Sequence, residues 1–343
     1  MKHPTILDVA HEAGVSKSLV SLVIRGSDRV SASSRRTVLE AADKLGYRPN
    51  AAARTMVRQR SYVIGVLVSN LHNPFFADVI DGIDMTATDA GYRSILTTGN
   101  RVAERERLAV GTLLEMRVDG LILVSPAFHK DFAIEVSRSV PTVVIGKATR
   151  AASVDSVTND DRRGAAIVVD HLVELGHSRI AHIDGGAGAG SQPRRTGYKR
   201  SMRSHGLETE IRSVPGGFTE EGGSTGMQNL LAKGPPPTAV FVANDLAAIG
   251  VLKVLRSEGL SVPGDISLVG YDNTAMAASH RLGLTTVDQP RHDMGRTATG
   301  LIVSRIDQES TPASHVVLSP KLVVRESTAP PYSLTYPSQR SRQ

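Results

Sequence analysis

The chain has 343 residues, 40% of them apolar, and a formal net charge of +6, more than one small core needs, which predicts two or three domains. It contains no cysteine, which excludes a disulfide framework and any thiolate metal site and suits a reducing cytoplasm. No apolar run is long enough to span a bilayer, and MKHPTILDVAHEAGVS lacks the apolar segment of a secretory leader, so neither membrane insertion nor export is expected.

The charge is unevenly divided. Residues 1–60 hold 11 Lys or Arg against 5 Asp or Glu, whereas residues 61–343 hold 29 of each. A small basic module beside a neutral body is the footprint of a phosphate-backbone binder, although a basic solvated face gives the same count.

Residues 1–49 read as three short helices. Thr5 can cap a first helix that turns Ile6, Val9 and Ala10 inward and ends at Gly14. Ser16 can cap a second, closed by Gly26, and Ser31 a third carrying Val38, Ala41, Ala42 and Leu45 on one face. In the second helix Val15, Leu19, Val20 and Val23 form the apolar stripe, which leaves Lys17, Ser18, Ser21, Leu22 and Arg25 nearer the rim. The turn AGVS between the first two has the length a helix-turn-helix requires. Residues 50–60, rich in alanine and arginine, are expected to form a hinge helix with too little apolar surface to stand alone in water.

From Tyr62 onward the pattern changes to apolar runs of strand length, each followed by a helical stretch: YVIGVLV, YRSILT, VDGLILV, PTVVIG, RIAHID, TAVFVA and DISLVGY. Runs without alternation indicate parallel strands buried on both faces, and hence a doubly wound α/β body over residues 61–327. Seven such runs fit two successive units divided near residues 155–163. A last helix and a terminal strand pair, HVVLSPKLVVRES, close the body, and residues 328–343, rich in Pro, Ser and Arg, read as a disordered tail.

In chain order, TILDVAHEAGVSKSLVSLVIRG, VSASSRRTVLEAADKLGYRPNAAARTM, LGHSRIAHI, VANDLAAIGVL, PGDISLVGYDN and LTTVDQP resemble the lac repressor family of bacterial transcription regulators. The resemblance implies a helix-turn-helix domain, a hinge helix, and a two-lobed effector-binding core of periplasmic-binding-protein type. It implies a homodimer, cytoplasmic at the nucleoid, that binds double-stranded operator DNA under the control of a small effector. By the same resemblance Lys17, Ser18 and Leu22 face base edges in the major groove. Leu22 stands where the family commonly has arginine, so contact with a thymine methyl replaces a hydrogen bond. Thr5, Ser16, Ser21, Ser31 and Tyr47 match phosphate-contacting positions. Asn50, Ala53 and Met56 match minor-groove positions, with Met56 in the place of a wedge that kinks the duplex.

In a two-lobed α/β body a ligand binds at the C-terminal ends of the strands. Phe75 and Phe76 of NPFF can face a sugar ring there, helix packing being the other reading. Arg194 of RRTGY matches an effector-binding arginine, with Arg195 its nearest rival, and Phe218 matches a stacking aromatic. Asn244, Asp272 and Gln289 follow strands in VAND, GYDN and VDQP. An arginine, an aspartate, amides and aromatic faces are what a polyol needs, so a carbohydrate-like effector is expected. Lys147, after Gly146, reads as a surface lysine at a strand end, or as the partner of an anionic ligand such as a sugar phosphate or sugar acid.

Other signals are weaker. GGAGAGS lacks the spacing of a phosphate loop, and GGSTG contains Ser224 without a preceding apolar strand, so no nucleophile elbow is expected. His171 and His177 do not share a helix face, which argues against a metal, and Asp160 and Asp161 read as helix caps. Neither a cofactor nor an enzymatic activity is expected. A periplasmic solute-binding protein would share the body but not the basic helices.

Overall fold

The computed structural model describes residues 4–24, 26–48, 60–279, 283–307 and 312–331. These fall into two compact units, one ending at Ser61 and the other beginning at Tyr62.

The first unit holds α1 (Ile6–Glu12), α2 (Lys17–Ile24) and α3 (Ala32–Lys44). Each begins where a side-chain oxygen takes up a backbone N–H that the helix itself cannot satisfy. Thr5 and Asp8 form a reciprocal capping box, Ser16 Oγ accepts from Leu19 N at 3.2 Å, and Ser31 Oγ accepts from Ser34 N at 3.2 Å. Val9, Val20 and Val38 are fully enclosed in the shared core, with Ala10, Val23, Val30 and Ala41 around them. Gly14, at φ +64, makes the sharp turn between α1 and α2 in a backbone region that favours glycine. Leu22, expected at the rim, is half-buried against this core, while Val15 and Leu19 are less enclosed than their stripe implied. Arg25 lies outside the described residues, as does the expected hinge, with Asn50, Ala53 and Met56, apart from Arg60.

The second unit contains two six-stranded sheets. In the first lobe β1 (Val63–Val68), α4 (Phe75–Asp89), β2 (Arg93–Thr98), α5 (Ala103–Glu115), β3 (Gly120–Val124), α6 (Lys130–Val136), β4 (Thr142–Ile145) and β5 (Asp155–Asn159) follow one another. In the second lobe come α7 (Asp161–Glu174), β6 (Ile180–Asp184), α8 (Ser191–Ser204), β7 (Arg212–Pro215), α9 (Glu220–Ala232), β8 (Ala239–Val242), α10 (Asp245–Ser257), β9 (Ser267–Asp272) and β10 (Thr285–Asp288). Then α11 (Arg291–Asp307) and β11 (His315–Leu318) precede β12 (Lys321–Val323). The sheet orders are β11-β5-β4-β3-β1-β2 and β12-β10-β9-β8-β6-β7. Every pairing is parallel except β10 with β12. Strands β3, β4, β6 and β8 are buried at every position, as their uninterrupted apolar runs require.

Three expectations are corrected. The terminal strands are not a pair: β11 joins the first sheet beside β5 and β12 the second beside β10. The chain also passes between lobes three times rather than once, at Asn159–Asp161, Asp288–Arg291 and Leu318–Lys321. Helix α11 returns to the first lobe and buries Met294, Ala298 and Ile302 in its core. That return depends on close approach to α4, since a Cβ on Gly82 would lie 2.2 Å from His292 O and one on Gly295 2.1 Å from Val79 O. Thr328 and Ala329, expected in the tail, are tied to the second lobe: Thr328 Oγ1 lies 3.0 Å from Thr285 Oγ1, and Ala329 N donates to Ser267 Oγ at 3.0 Å.

Candidate functional site

The C-terminal ends of both sheets face a cavity of about 470 Å³ between the lobes, within the range that holds a small organic ligand. Its polar centre is Arg194, from the first turn of α8 and buried. Arg194 Nε donates to Asp161 Oδ1 at 2.9 Å and Nη1 to Ala243 O at 2.7 Å. Its guanidinium lies 3.6 Å from the Tyr271 ring centroid on one side and 5.6 Å from that of Phe218 on another. Burial opposes the charge on Arg194, but Asp161 and the groups around it more than offset this, and its pKa lies above the ordinary arginine value. The cation is therefore held rigidly and permanently charged at the cavity wall.

Asn159 and Asp161 stand on either side of the first crossover. Asn159 Nδ2 donates to Tyr271 Oη at 2.9 Å and reaches Asp161 Oδ1 at 3.3 Å, while its own buried Oδ1 accepts nothing from any described residue. A buried acceptor of this kind on a cavity wall is a natural partner for a ligand hydroxyl. Across the cavity Gln289 Nε2 donates to Asp272 Oδ1 at 2.6 Å. Burial pushes the Asp272 carboxyl up to about 7, against the pull of Arg194. Asp272 also sits at φ 119, a conformation that residues with a Cβ rarely adopt and that is typical of strained functional positions.

Aromatic faces complete the wall. Phe75 and Phe76 meet edge to face at 5.2 Å, line the cavity and also belong to the first lobe's core, so packing and lining are both served. Phe218 lies over the glycine-rich loop 185–190, where a Cβ on Gly185 would be 2.2 Å and one on Gly188 2.5 Å from its ring. The loop's glycines thus seat an aromatic ring rather than cradle a phosphate.

Of the expected effector residues, Phe75, Phe76, Arg194, Phe218, Asp272 and Gln289 come together around this cavity. Asn244 does not line it: it caps α10, accepting from Ala247 N at 2.9 Å, and its chain neighbour Ala243 supplies the carbonyl to Arg194. Arg195 turns to Asp184 at 3.0 Å instead. Asp161 corrects its reading as a cap. Asp160 alone takes that role, accepting from Arg163 N at 3.1 Å, and the next residue, about 100° further round the helix, points to Arg194. Asn159, Ser69 and Arg101 also line the cavity and were not singled out from sequence. Lys147, read first as a surface residue, is half-buried on its wall.

The set-aside signals have structural partners. Ser224 lies inside α9 and donates to Gly250 O at 3.1 Å. His177 bridges Thr238 Oγ1 at 3.0 Å and Ala329 O at 2.9 Å, and His171 meets Thr328 Oγ1 at 3.1 Å. In the first unit Ser16, Lys17 and Ser18 are exposed at the start of α2, with Thr5 and Ser31 exposed at the other helix starts and Ser21 and Tyr47 half-buried.

Residues 5–50 match the family of bacterial regulatory proteins named lacI, and residues 169–328 match the periplasmic binding protein-like domain. Catabolite control protein A of Priestia megaterium is 34% identical over 331 residues, covering 94% of this chain and 99% of that protein. The chain belongs to the lacI family of bacterial regulatory proteins. Its fold is that of the family. The lac repressor dimer bound to operator and an anti-inducer is similar with a TM-score of 0.85 at 29% identity, over 96% of this chain and 100% of that one. The transcriptional regulator CelR in complex with cellobiose is similar with a TM-score of 0.70 at 34% identity, over 94% and 99% respectively. As a member of the lacI family the protein is a DNA-binding regulator of transcription and not an enzyme. Among the described residues no helix is long and apolar enough to cross a membrane.

Proposed function

We propose that this regulator is a homodimeric repressor, working in the cytoplasm at the nucleoid, whose operator affinity is set by a carbohydrate-like effector held between the lobes of the core. The observation that carries this is the Arg194–Asp161 pair, clasped between aromatic rings on the cavity wall. In the effector complex Phe75, Phe76 and Phe218 cover the apolar faces of a sugar ring. Arg194, Asp161, Asp272, Gln289 and Asn159 meet its hydroxyls. The domain assignment that goes with this is a DNA-binding domain at 1–49, a hinge helix at 50–60 and a core that begins at 61 and takes in Thr328 and Ala329.

At the operator, Lys17, Ser18 and Leu22 read base edges, while Thr5, Ser16, Ser21, Ser31 and Tyr47 fix register on the phosphates. Asn50, Ala53 and Met56 enter the minor groove, where Met56 wedges a base step open. The three interlobe crossovers form the hinge on which effector binding changes lobe closure. That change alters how the two hinge helices of the dimer are spaced, and so whether they fold on DNA.

The test is selection of bound duplexes from a random pool by the purified protein, repeated with a panel of sugars and sugar derivatives. The expected result is a palindromic site whose recovery changes with one class of ligand, together with a steep fall of affinity with salt. Arg194→Gln should retain the site and lose the ligand response. Failure to enrich any site under any ligand would overturn the reading.

A further inference from the structure

Two cations on the cavity wall take no part in the clasp around Arg194. Arg101 follows β2 and Lys147 follows β4, so both reach the cavity from the first lobe. Arg101 donates no hydrogen bond to any described residue; its guanidinium lies 5.5 Å from the Phe218 ring centroid and beside Gly188 of the second lobe. Lys147 Nζ donates to the carbonyl of Pro126. The carboxylate that serves both is Glu106, fully buried in the first turn of α5. Its oxygens are already occupied, Oε1 by Ser69 Oγ at 2.8 Å and Oε2 by Ala127 N at 2.6 Å, and it forms no ion pair with either cation.

One engaged carboxylate thus stands against two cations, and the balance shows in both. Arg101 is exposed at the cavity rim and Lys147 half-buried; partial loss of solvent pulls the pKa of each below the ordinary value, and Glu106 recovers only part of that loss. Asp161 offers no relief because Arg194 holds it. An adjoining cavity of about 700 Å³ that Lys147 also lines carries exposed Lys130, Arg150 and Arg162 against Asp160 and the engaged Asp161. Arg101 is also held at φ 63, directly after Asn100 at φ 51, two successive non-glycine residues in the left-handed region. Backbone of this kind persists where a side chain must be aimed.

We propose that Arg101 and Lys147 form an anion-binding end of the cavity, so that the effector is a carbohydrate derivative bearing a phosphate or carboxylate group rather than a neutral sugar. The planar fork of Arg101 takes two oxygens of such a group at the cavity rim, and Lys147 supplies the second charge deeper in. The anion then supplies the charge balance that Glu106 alone does not. Arg101 also touches Phe218 of the opposite lobe, so binding at this end bears on lobe closure.

This rests on the cavity being the effector site, and the test separates the two. Met294 lines the cavity and is buried, so its methyl resonance, identified by its loss in Met294→Leu, reports there and not on the basic N-terminal unit. The full-length protein is titrated with inorganic phosphate, then with glucose, gluconate and glucose 6-phosphate. The expected result is a saturable Met294 shift with phosphate in the millimolar range, weakened about tenfold or more in Arg101→Gln/Lys147→Gln and largely kept in Arg101→Lys. Unchanged affinity in the double variant overturns the anionic end, as does the absence of any phosphate shift. If a neutral sugar moves Met294 while phosphate does not, the effector cavity stands without its anionic end. If nothing moves it, both readings fall.

Discussion

Arg194 Nε and Asp161 Oδ1, 2.9 Å apart, join the first turns of α8 and α7 in a pair almost entirely withdrawn from solvent. Buried Asp272 also acts on Arg194, but among the described residues Asp161 is the carboxylate hydrogen-bonded to it. Removing one leaves the other buried and uncompensated, which costs about 3–5 kcal/mol. Asp161→Ala and Arg194→Gln are each expected to lower stability by that order in chemical denaturation. The double variant Asp161→Leu/Arg194→Met should recover much of the loss and still show no effector response. Single variants as stable as the parent would mean that the pair is solvated in solution.

Much of this site is legible in the sequence, and each feature that is not has its own physical cause. Arg194 stands out in RRTGY, and Asp272 and Gln289 stand at strand ends where α/β ligands bind. Asp161 was hidden because neighbouring Asp160 and Asp161 carry the same signal; only helix phase separates the cap from the ion partner. The apolar runs announced seven strands, but β5, β7 and β10 are short and carry polar residues such as Asp155, Arg212 and Thr285, so they lack the run. The return of α11 to the first lobe was hidden for a different reason. An apolar stripe says that a helix is buried and not against which sheet, and the small residues that bring α11 against α4 look like any other glycines.

Gly185→Ala tests how the aromatic wall is seated. The added Cβ would lie 2.2 Å from the Phe218 ring, so the ring must leave its place. Overpacking of this kind costs about 1–3 kcal/mol. Effector affinity is expected to fall about tenfold or more as the stacking surface is displaced, with operator affinity in the absence of effector retained. Adding Phe218→Ala should restore stability without restoring affinity, a non-additivity that a double-mutant cycle would measure. Additive effects would show that the loop and the ring move independently.

His182 links stability to pH. It is wholly buried in β6, stacked on Phe241 at 4.5 Å, with Nδ1 3.0 Å from Phe241 O and Nε2 without a partner among the described residues. Burial pulls its pKa down to about 4. The unfolded chain therefore takes up a proton that the folded one refuses, and stability present above about pH 6.5 is lost as pH falls toward 4. The slope for one such group is about 1.4 kcal/mol per pH unit. Burial moves His171 and His177 in the same direction. Denaturant midpoints between pH 7 and 5 should thus fall steeply in the parent and less steeply in His182→Phe. Parallel slopes would remove His182 from the account.

Lys17 and Thr5 separate base reading from positioning in the N-terminal unit. Lys17 is exposed at the start of α2, where a helix in the major groove presents its side chains to base edges. Its replacement by alanine is expected to cost about 1–3 kcal/mol at one base position of the operator and to relax preference there, while leaving the helix intact. Thr5 is different because its hydroxyl is already engaged: Oγ1 donates to Asp8 Oδ2 at 2.7 Å and accepts from Asp8 N at 3.4 Å. Thr5→Ala should cost about 1 kcal/mol of domain stability through the lost cap and weaken binding to all duplexes alike. Sequencing of duplexes selected by each variant distinguishes the two effects. A changed consensus with Thr5→Ala, or an unchanged one with Lys17→Ala, would reverse the assigned roles.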